Sequence, residues 1–361
     1  MLVNFAIRKD YLTNRGGDTF QLLKTIEYLE KYGDIHCKIV SDPEKIDSNL
    51  DILHIFNLQN ASFAYTMEQA AKKKKAKVVI SPIVWHFGDA NYVNKMMRIF
   101  HNMNIVRLFR GISPLFEKYS ISHGKKIKKI ILQNADIVMP NSIEEGEILK
   151  KQYNVDFNEV VVPNCVDIGL KEKNKQLQLP KDFILEVGRI EPTKNQLSLI
   201  EAMMSHPEIP LVFVGKQNKR KKFYVDLLKK MAKKRGNTFF IEELPQEDLA
   251  EYYKAAKVHV LPSFRESPGL VTLEALFYGC NIVVSDYKFC PVNYYKFDAI
   301  GYICDPYSTN SIESAVLEAY YASSKVIGQD YFDFFSYKNA AHIIREAYIK
   351  GVSRVLCKSI Q

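Results

Sequence analysis

The sequence predicts an α/β protein of two doubly wound, Rossmann-like domains facing each other across a cleft. Three observations carry that expectation. Short runs of Val, Ile, Leu and Phe, apolar throughout, alternate with stretches of helical periodicity. Strands buried on both faces of a parallel sheet read this way. The alternation pauses at a polar stretch, GLKEKNKQLQLPK (169–181), and then starts again. The 361 residues suit two domains, each able to bury its own core. The expected division is 1–168, a linker at 169–181, 182–330, and helices over 331–361 packing back towards the first domain.

In chain order, LVNFAIR (2–8) reads as a buried strand. A loop with Gly16-Gly17-Asp18-Thr19 follows, then a helix with Phe20, Leu23, Ile26 and Leu29 at core spacing. Glycines between a strand and a helix N-terminus let backbone N–H groups approach a phosphate or a sugar; the same residues also make an ordinary tight turn. Further strands are read at 35–40, 51–56 and 77–84. The helix at 62–75 ends in Lys72 to Lys75, which suits a solvated C-terminus. After the fourth strand comes Trp85-His86-Phe87-Gly88-Asp89. A histidine at the carboxyl end of a parallel strand points into the crevice, although a packed or surface histidine is the plainer reading.

Residues 91–132 break the rhythm. They hold nine Lys/Arg against one acid, Glu117, and so nearly the whole net charge of +9. Met96, Met97, Ile99, Phe100, Ile105, Val106, Leu108 and Phe109 interleave with those cations. The segment suits an anionic membrane surface, and equally a core-packed helical pair with a solvated basic face. Nucleic acid is not expected, since no binding motif accompanies the charge. Strands are then read at 135–142 and 159–167, with a helix at 143–152 between them.

The second half continues with strands at 183–190, 210–216, 237–242, 257–263, 281–286 and 301–305. A helix carries Leu197, Ile200 and Met204. The run 219–235 places Phe223, Leu227, Leu228 and Met231 on one face and reads as a helix with a solvated basic side. The six cysteines form no CxxC pair, so neither zinc nor a redox motif is expected. No apolar stretch reaches the roughly 18 residues of a membrane span. The N-terminus reads as a strand and not a leader. A cytoplasmic protein, peripheral at most on the inner face of the membrane, is the expectation, with no metal and no cofactor.

The chemistry concentrates in RESPGLVTLEALFYGCNIVVSD (265–286). Glu266 and Glu274 flank a Pro268-Gly269 turn that opens a helix, between two apolar strands. By itself a Glu pair eight residues apart is two surface acids. Its neighbours in the fold alter that reading. Gly188-Arg189 closes one strand and Lys194 starts the next helix. Two cations at a strand's carboxyl edge suit a diphosphate, with Arg as a fork and Lys as a point charge. The N–H groups of Leu270, Val271 and Thr272 stand at a helix N-terminus, a ready anion site. Glu274 offers two oxygens to the vicinal hydroxyls of a ribose, and Glu266 faces a bound sugar.

GRIEPTKNQLSLIEAM (188–203) and YYKAAKVHVLPSFRESPGLVTLEALFYGCNIVVSD (252–286) resemble the family-4 retaining glycosyltransferases of the GT-B fold. Glu266 and Glu274 match the family's E-x7-E motif, and Arg189 and Lys194 its arginine-lysine pair. PNCVD (163–167) resembles its PNGVD loop, and 334–348 its C-terminal F-S-W helix. Gly16-Gly17 fits its N-terminal glycine turn, and His86 its histidine after the fourth strand. The likeness is strong over 160–290 and looser in the first half. Ser267-Pro268 replaces the usual Gly-Phe, Cys165 a loop glycine and Tyr337 a tryptophan. The resemblance implies a nucleotide-diphosphate-sugar donor, a hydroxyl acceptor on a glycan or lipid-linked saccharide, retention of anomeric configuration and no metal. It implies catalytic roles for His86, Arg189, Lys194 and Glu266. It also implies donor contacts from Gly16, Gly17, Gly188, Arg189, Lys194, Glu266, Pro268, Gly269, Leu270, Val271, Thr272 and Glu274. Sugar-nucleotide 2-epimerases share the architecture, and a non-catalytic sugar-nucleotide-binding partner of another transferase is the remaining alternative.

Overall fold

The computed structural model describes residues 1–13, 16–122, 124–167 and 177–358. Most of the expected linker, 169–176 of 169–181, lies outside the described residues. Among the described residues eleven runs become parallel strands, most of them apolar on both faces, which requires helices on both sides of the sheet. They fall into two sheets, and the chain clusters into two units.

The first unit comprises Met1–Val84, Ile121–Val166 and Gln329–Gln361. Its strands are β1 (Leu2–Ala6), β2 (His36–Val40), β3 (Ile52–Phe56), β4 (Lys77–Ser81) and β5 (Ile137–Val138). They lie in the order β2-β1-β3-β4-β5, every pair parallel. The core gathers Val3, Phe5, Ile52, Phe56 and Val79 with Tyr337, Ala341, Ile344 and Tyr348 of the helix Tyr337–Lys358. His54, in the middle of β3, is fully buried. One ring nitrogen meets Tyr348 Oη at 2.6 Å and the other Ser81 Oγ at 2.9 Å. Burial pushes its pKa down to about 3, so it is a neutral structural histidine.

Two expectations need correction here. The run 159–167 does not form a strand. It follows β5 through an isolated bridge, Val138 to Glu159, and touches Ser336 through Val166. Pro140 and Pro163 supply no N–H, so a continuous ladder cannot form along this edge. In the helix Gly17–Glu30 the buried residues are Thr19, Leu22, Thr25 and Leu29, while Leu23 is exposed. Leu23 is the one expected core residue that faces out; Phe20 and Ile26 pack, partly buried, against the core, and Thr19, Leu22 and Thr25 complete the inward face.

The second unit comprises Trp85–Ser120 and Asp167–Gly328. Its strands are β6 (Phe183–Val187), β7 (Leu211–Val214), β8 (Thr238–Ile241), β9 (Ala256–Leu261), β10 (Asn281–Ser285) and β11 (Tyr302–Cys304). Their order is β11-β10-β9-β6-β7-β8, all parallel. The chain leaves β6 in one direction to β7 and β8, then returns to β9 on the other side. The topological switch point, where ligands bind in such sheets, therefore lies between β6 and β9.

The units are interleaved in sequence. Residues 85–120 fold as the helices Gly88–Phe100, Met103–Leu108 and Ser113–Ser122, joined by short turns. Tyr92, Val93, Met97 and Val106 share the second unit's core with Ile184, Leu197, Leu199 and Phe264. The basic segment 91–132 is thus divided between units, its last helix, Lys125–Asn134, belonging to the first. Its interleaved apolar residues are divided too. Met96, Met97 and Val106 are core, whereas Ile99, Phe100, Leu108 and Phe109 are exposed. The cations are not uniformly solvated either. Arg107 bonds Ser198 Oγ at 2.7 Å and Glu201 Oε2 at 2.5 Å, and Lys128 is buried with its ammonium 5.9 Å from the Tyr153 ring. In the helix Lys222–Arg235 the basic side is exposed except at Arg235. That guanidinium is buried against the carbonyls of Met203, His206 and Ile209.

Candidate active site

Lys194 and Glu266 meet because β6 and β9 are neighbours. After β6 the chain passes Gly188 and Arg189 and makes a tight turn, Pro192–Lys194. It then turns again at Asn195 (φ 65°) into the helix Gln196–Ala202. After β9 it loops through Pro262 to Gly269 and enters the helix Leu270–Phe277. The two loops are interlocked. Phe264 N donates to Thr193 O at 2.9 Å, and Asn195 Nδ2 donates to Pro262 O at 3.0 Å and Pro306 O at 2.8 Å. Glu266 N donates to Phe289 O at 2.7 Å. On this framework Lys194 Nζ donates to Glu266 Oε1. Both side chains are largely buried, which makes this charge-assisted bond a strong one.

Glycine is required at two points. Gly269 has φ +96°, and a Cβ there would lie 2.9 Å from Leu261 Cδ2 and 3.4 Å from Glu266 Oε2. Gly215, which follows β7, has φ +149°, and a Cβ would collide with Gly188 O. Sequence reading passed over Gly215; a glycine directly after an apolar strand was the available signal. Pro268 is buried, and the Ser267–Pro268 peptide bond is cis. Leu270 and Val271 begin the helix. The Thr272 N–H donates to Gly269 O at 3.0 Å, so it is already engaged, unlike the free donor the sequence suggested.

Glu274 sits one turn further in and is almost wholly buried. Its two oxygens accept from Gln246 Nε2 at 2.7 Å and Tyr253 Oη at 2.9 Å. Burial raises its pKa to about 7, and those two bonds oppose the shift. Each oxygen keeps a second lone pair for a ligand. Beneath the loop, Glu186 of β6 is fully buried. Burial drives its pKa well above the carboxylate range, while nearby Lys194 opposes this.

Arg189 does not join the Lys194–Glu266 pair. Its guanidinium is exposed and lies 3.4 Å from Glu191 Oε1, leaving it able to swing to a ligand. His86 belongs to the second unit. Its Nδ1 lies 3.3 Å from Glu117 Oε1, and Glu117 Oε2 accepts from Gly88 N. The loop is pinned by Trp85 Nε1 donating to Lys288 O at 3.0 Å and by Tyr307 Oη donating to Asp89 Oδ1 at 2.8 Å. Arg265 stacks 4.1 Å over the Phe87 ring, which places the neighbour of Glu266 against the neighbour of His86. Arg265 and Glu117 were invisible as partners in the sequence, where Glu117 stood only as the lone acid of a basic stretch.

Gly16 and Gly17 open the helix Gly17–Glu30 of the first unit, next to that sheet's own switch point between β1 and β3. Asp18 holds the turn. It accepts from Arg8 at 3.3 Å and from Asn57 Nδ2 at 3.3 Å, and a Cβ on Gly16 would lie 2.9 Å from Asp18 Oδ1. No cluster of metal-ligating side chains occurs among the described residues.

Residues 168–324, which hold Lys194, Glu266 and Glu274, match the family described as Glycosyl transferases group 1. The chain is a GT-B glycosyltransferase. Its curated relatives agree with this. It is 22% identical to the capsular polysaccharide biosynthesis glycosyltransferase CapH of Staphylococcus aureus, over 76% of this chain and 79% of that one. It is 23% identical to the D-inositol 3-phosphate glycosyltransferase of Corynebacterium glutamicum, over 75% of each. The fold of this glycosyltransferase is shared with sucrose-phosphate synthase of Thermosynechococcus elongatus (TM-score 0.68, 15% identity, 100% of this chain and 99% of that one). It is also shared with Anabaena HepE, solved with UDP-glucose (TM-score 0.64, 14% identity, 99% and 100%).

Proposed function

We propose that this glycosyltransferase is a retaining, metal-independent enzyme using a nucleotide-diphosphate sugar. Its acceptor would be a hydroxyl of a glycan or lipid-linked saccharide in cell-surface polysaccharide or glycoconjugate synthesis. The observation that carries the reading is the Lys194–Glu266 pair at the β6/β9 switch point, beside the glycine-opened helix Leu270–Phe277. A cation and a helix N-terminus at one point are suited to a diphosphate whose charge grows as it leaves.

In the proposed reaction the bond from the sugar's anomeric carbon to the diphosphate oxygen breaks. The acceptor oxygen bonds to that carbon on the same face, and its proton passes to a phosphate oxygen of the departing nucleotide diphosphate. Lys194 and Arg189 stabilise the leaving charge, with the N–H groups of Leu270 and Val271. Glu274 accepts from the ribose hydroxyls. Glu266, held by Lys194, faces the transferred sugar, and His86, oriented by Glu117, binds that sugar and is not a general base. Gly16 and Gly17, at the start of the helix Gly17–Glu30, are the remaining residues proposed to contact the donor through their backbone. The capsular relative supports the pathway, and the UDP-glucose complex of the HepE neighbour supports the donor class. Both sequence relatives are transferases, which favours this reading over the epimerase and the non-catalytic alternatives.

The test is the anomeric configuration of the product, read by proton NMR from a reaction with and without a chelator. Retained configuration and undiminished turnover with the chelator are expected. An inverted product, or activity that needs added divalent metal, contradicts the proposal. No helix among the described residues is long and apolar enough to cross a membrane. A cytoplasmic enzyme meeting its acceptor at the inner membrane surface, through the basic segment 91–132, is part of the same proposal.

A further inference from the structure

Between Leu108 and Tyr119 the chain leaves five large apolar side chains in water. Leu108 is 76% exposed, Leu115 66% and Tyr119 73%, with Phe109 and Ile112 close to half. Ile112, Leu115 and Tyr119 recur at three- and four-residue spacing along the turn Arg110–Ile112 and the helix Ser113–Ser122, so they form one stripe. Leu108 and Phe109 stand directly before it. Within this stretch Phe116 packs, partly buried, against the second unit's core, which Tyr92, Met97 and Val106 just before it help to form. The segment is therefore well anchored, and its outer face is apolar by sequence and not by fraying. Scattered exposed apolar residues need no explanation, but a contiguous set marks an interaction surface.

The charges around it identify the partner. Lys95, Arg98 and Lys118 are exposed on this segment. Both acids of the segment are turned inward, Asp89 to Tyr307 and Lys288, and Glu117 to Gly88 N and His86. The segment's own residues thus offer apolar side chains and cations outward, with Arg110 paired to Asp305 at 3.2 Å and Lys95, Arg98 and Lys118 exposed. That combination fits the boundary of an anionic bilayer, where apolar groups enter the acyl region and ammonium and guanidinium groups meet phosphates.

We propose that residues 95–119 dock this enzyme on anionic lipid. Leu108, Phe109, Ile112, Leu115 and Tyr119 insert, while Lys95, Arg98 and Lys118 pair with lipid phosphates. The proposal deepens the functional reading and rests on its membrane-side acceptor. It also moves the contact away from the helix Lys125–Asn134, where Lys128 is buried.

The test is co-sedimentation of the full chain with phosphatidylcholine vesicles, with and without about one third phosphatidylglycerol. Binding at least about tenfold tighter to the anionic vesicles is expected, falling as salt rises. A Leu115→Glu/Tyr119→Glu variant should lose about tenfold or more of that binding. Lys95→Gln and Lys118→Gln should each lose roughly fivefold. In all variants the thermal shift given by a nucleotide sugar should stay at the wild-type value. Equal binding to both vesicle types, no binding, or wild-type binding by Leu115→Glu/Tyr119→Glu overturns the proposal. So does self-association that the double variant abolishes in place of vesicle binding, because the face then takes a second copy of the chain. A wild-type protein that binds vesicles but shows no shift with any nucleotide sugar leaves the lipid proposal standing and removes the functional reading instead.

Discussion

Replacing Lys194 with alanine removes the proposed diphosphate contact and also strips Glu266 of its cation. The first effect is on turnover. One charge-assisted contact is worth about 1.5–3 kcal/mol, and a donor placed beforehand where charge develops is worth about 2.7–4 kcal/mol, or roughly 100- to 1,000-fold in rate. The Lys194 ammonium is held by Glu266 and by the interlocked loops before any ligand arrives, so the upper range applies. The second effect is on stability. Leaving a buried carboxylate without its partner costs up to about 3–5 kcal/mol. Here the lysine side chain keeps 19% and the glutamate 10% of its exposure, so water repays part of that, and about 1–3 kcal/mol is expected. The two effects separate in a Lys194→Ala/Glu266→Gln double variant. Stability should recover, since a neutral amide replaces the stranded charge, while activity should not. The assay is steady-state transfer at saturating donor, with a melting curve for each variant. A folded Lys194→Ala enzyme that turns over within about threefold of wild type would refute the assignment, since so small a loss is below one such contact.

The remaining predictions concern the helix Leu270–Phe277 and its entry. Glu274 binds its proton more tightly in the fold than in the unfolded chain, with a pKa raised from 4.5 to about 7 by burial. Its contribution to stability is therefore greatest at low pH and falls as pH rises from about 4.5 to about 7. Donor binding has the opposite trend, because ribose hydroxyls donate to the ionised carboxylate. Donor affinity measured by calorimetry should weaken below pH 7 by up to about tenfold per unit, and Glu274→Gln should bind more weakly with that dependence gone. A pH-independent wild-type affinity contradicts the ribose role. Gly269→Ala should destabilise by about 1–3 kcal/mol, from the positive φ and the Leu261 contact, and lower donor affinity with it. An unchanged melting temperature would mean that the turn relaxes freely.

Most strands were legible because they bury both faces and so are largely apolar, as in β3 and β10, where every residue is buried; β2 and β8, at the sheet edges, are less so. The run at 159–167 was equally apolar but lies at a sheet edge with prolines, and periodicity carries no information about missing N–H donors. The placement of 85–120 was not legible. Tyr92, Val93 and Met97 are apolar whichever unit they join, and their partners, Leu197 and Phe264, lie a hundred residues away or more. At the site, Lys194 and Glu266 could be named singly, but their bond follows from β6 and β9 being neighbours. Gln246 and Tyr253, which hold Glu274, sit on the helix Gln246–Ala255 and read as ordinary surface and core positions. His86 lies beyond the end of β4 at Ser81, and its partner Glu117 is 31 residues on and two helices away.

The central claim is that the β6/β9 switch point receives the diphosphate of a nucleotide sugar. The most direct measurement is a thermal-shift and calorimetric panel of nucleotide sugars on the wild type and on an Arg189→Ala/Lys194→Ala double variant. A ligand at a hundred times its Kd stabilises the folded state by about 2.7 kcal/mol, well within reach of a melting curve. At least one nucleotide-diphosphate sugar should raise the wild-type Tm, and the double variant should lose the shift while remaining folded. No shift with any nucleotide sugar, or an equal shift in the double variant, would contradict the account.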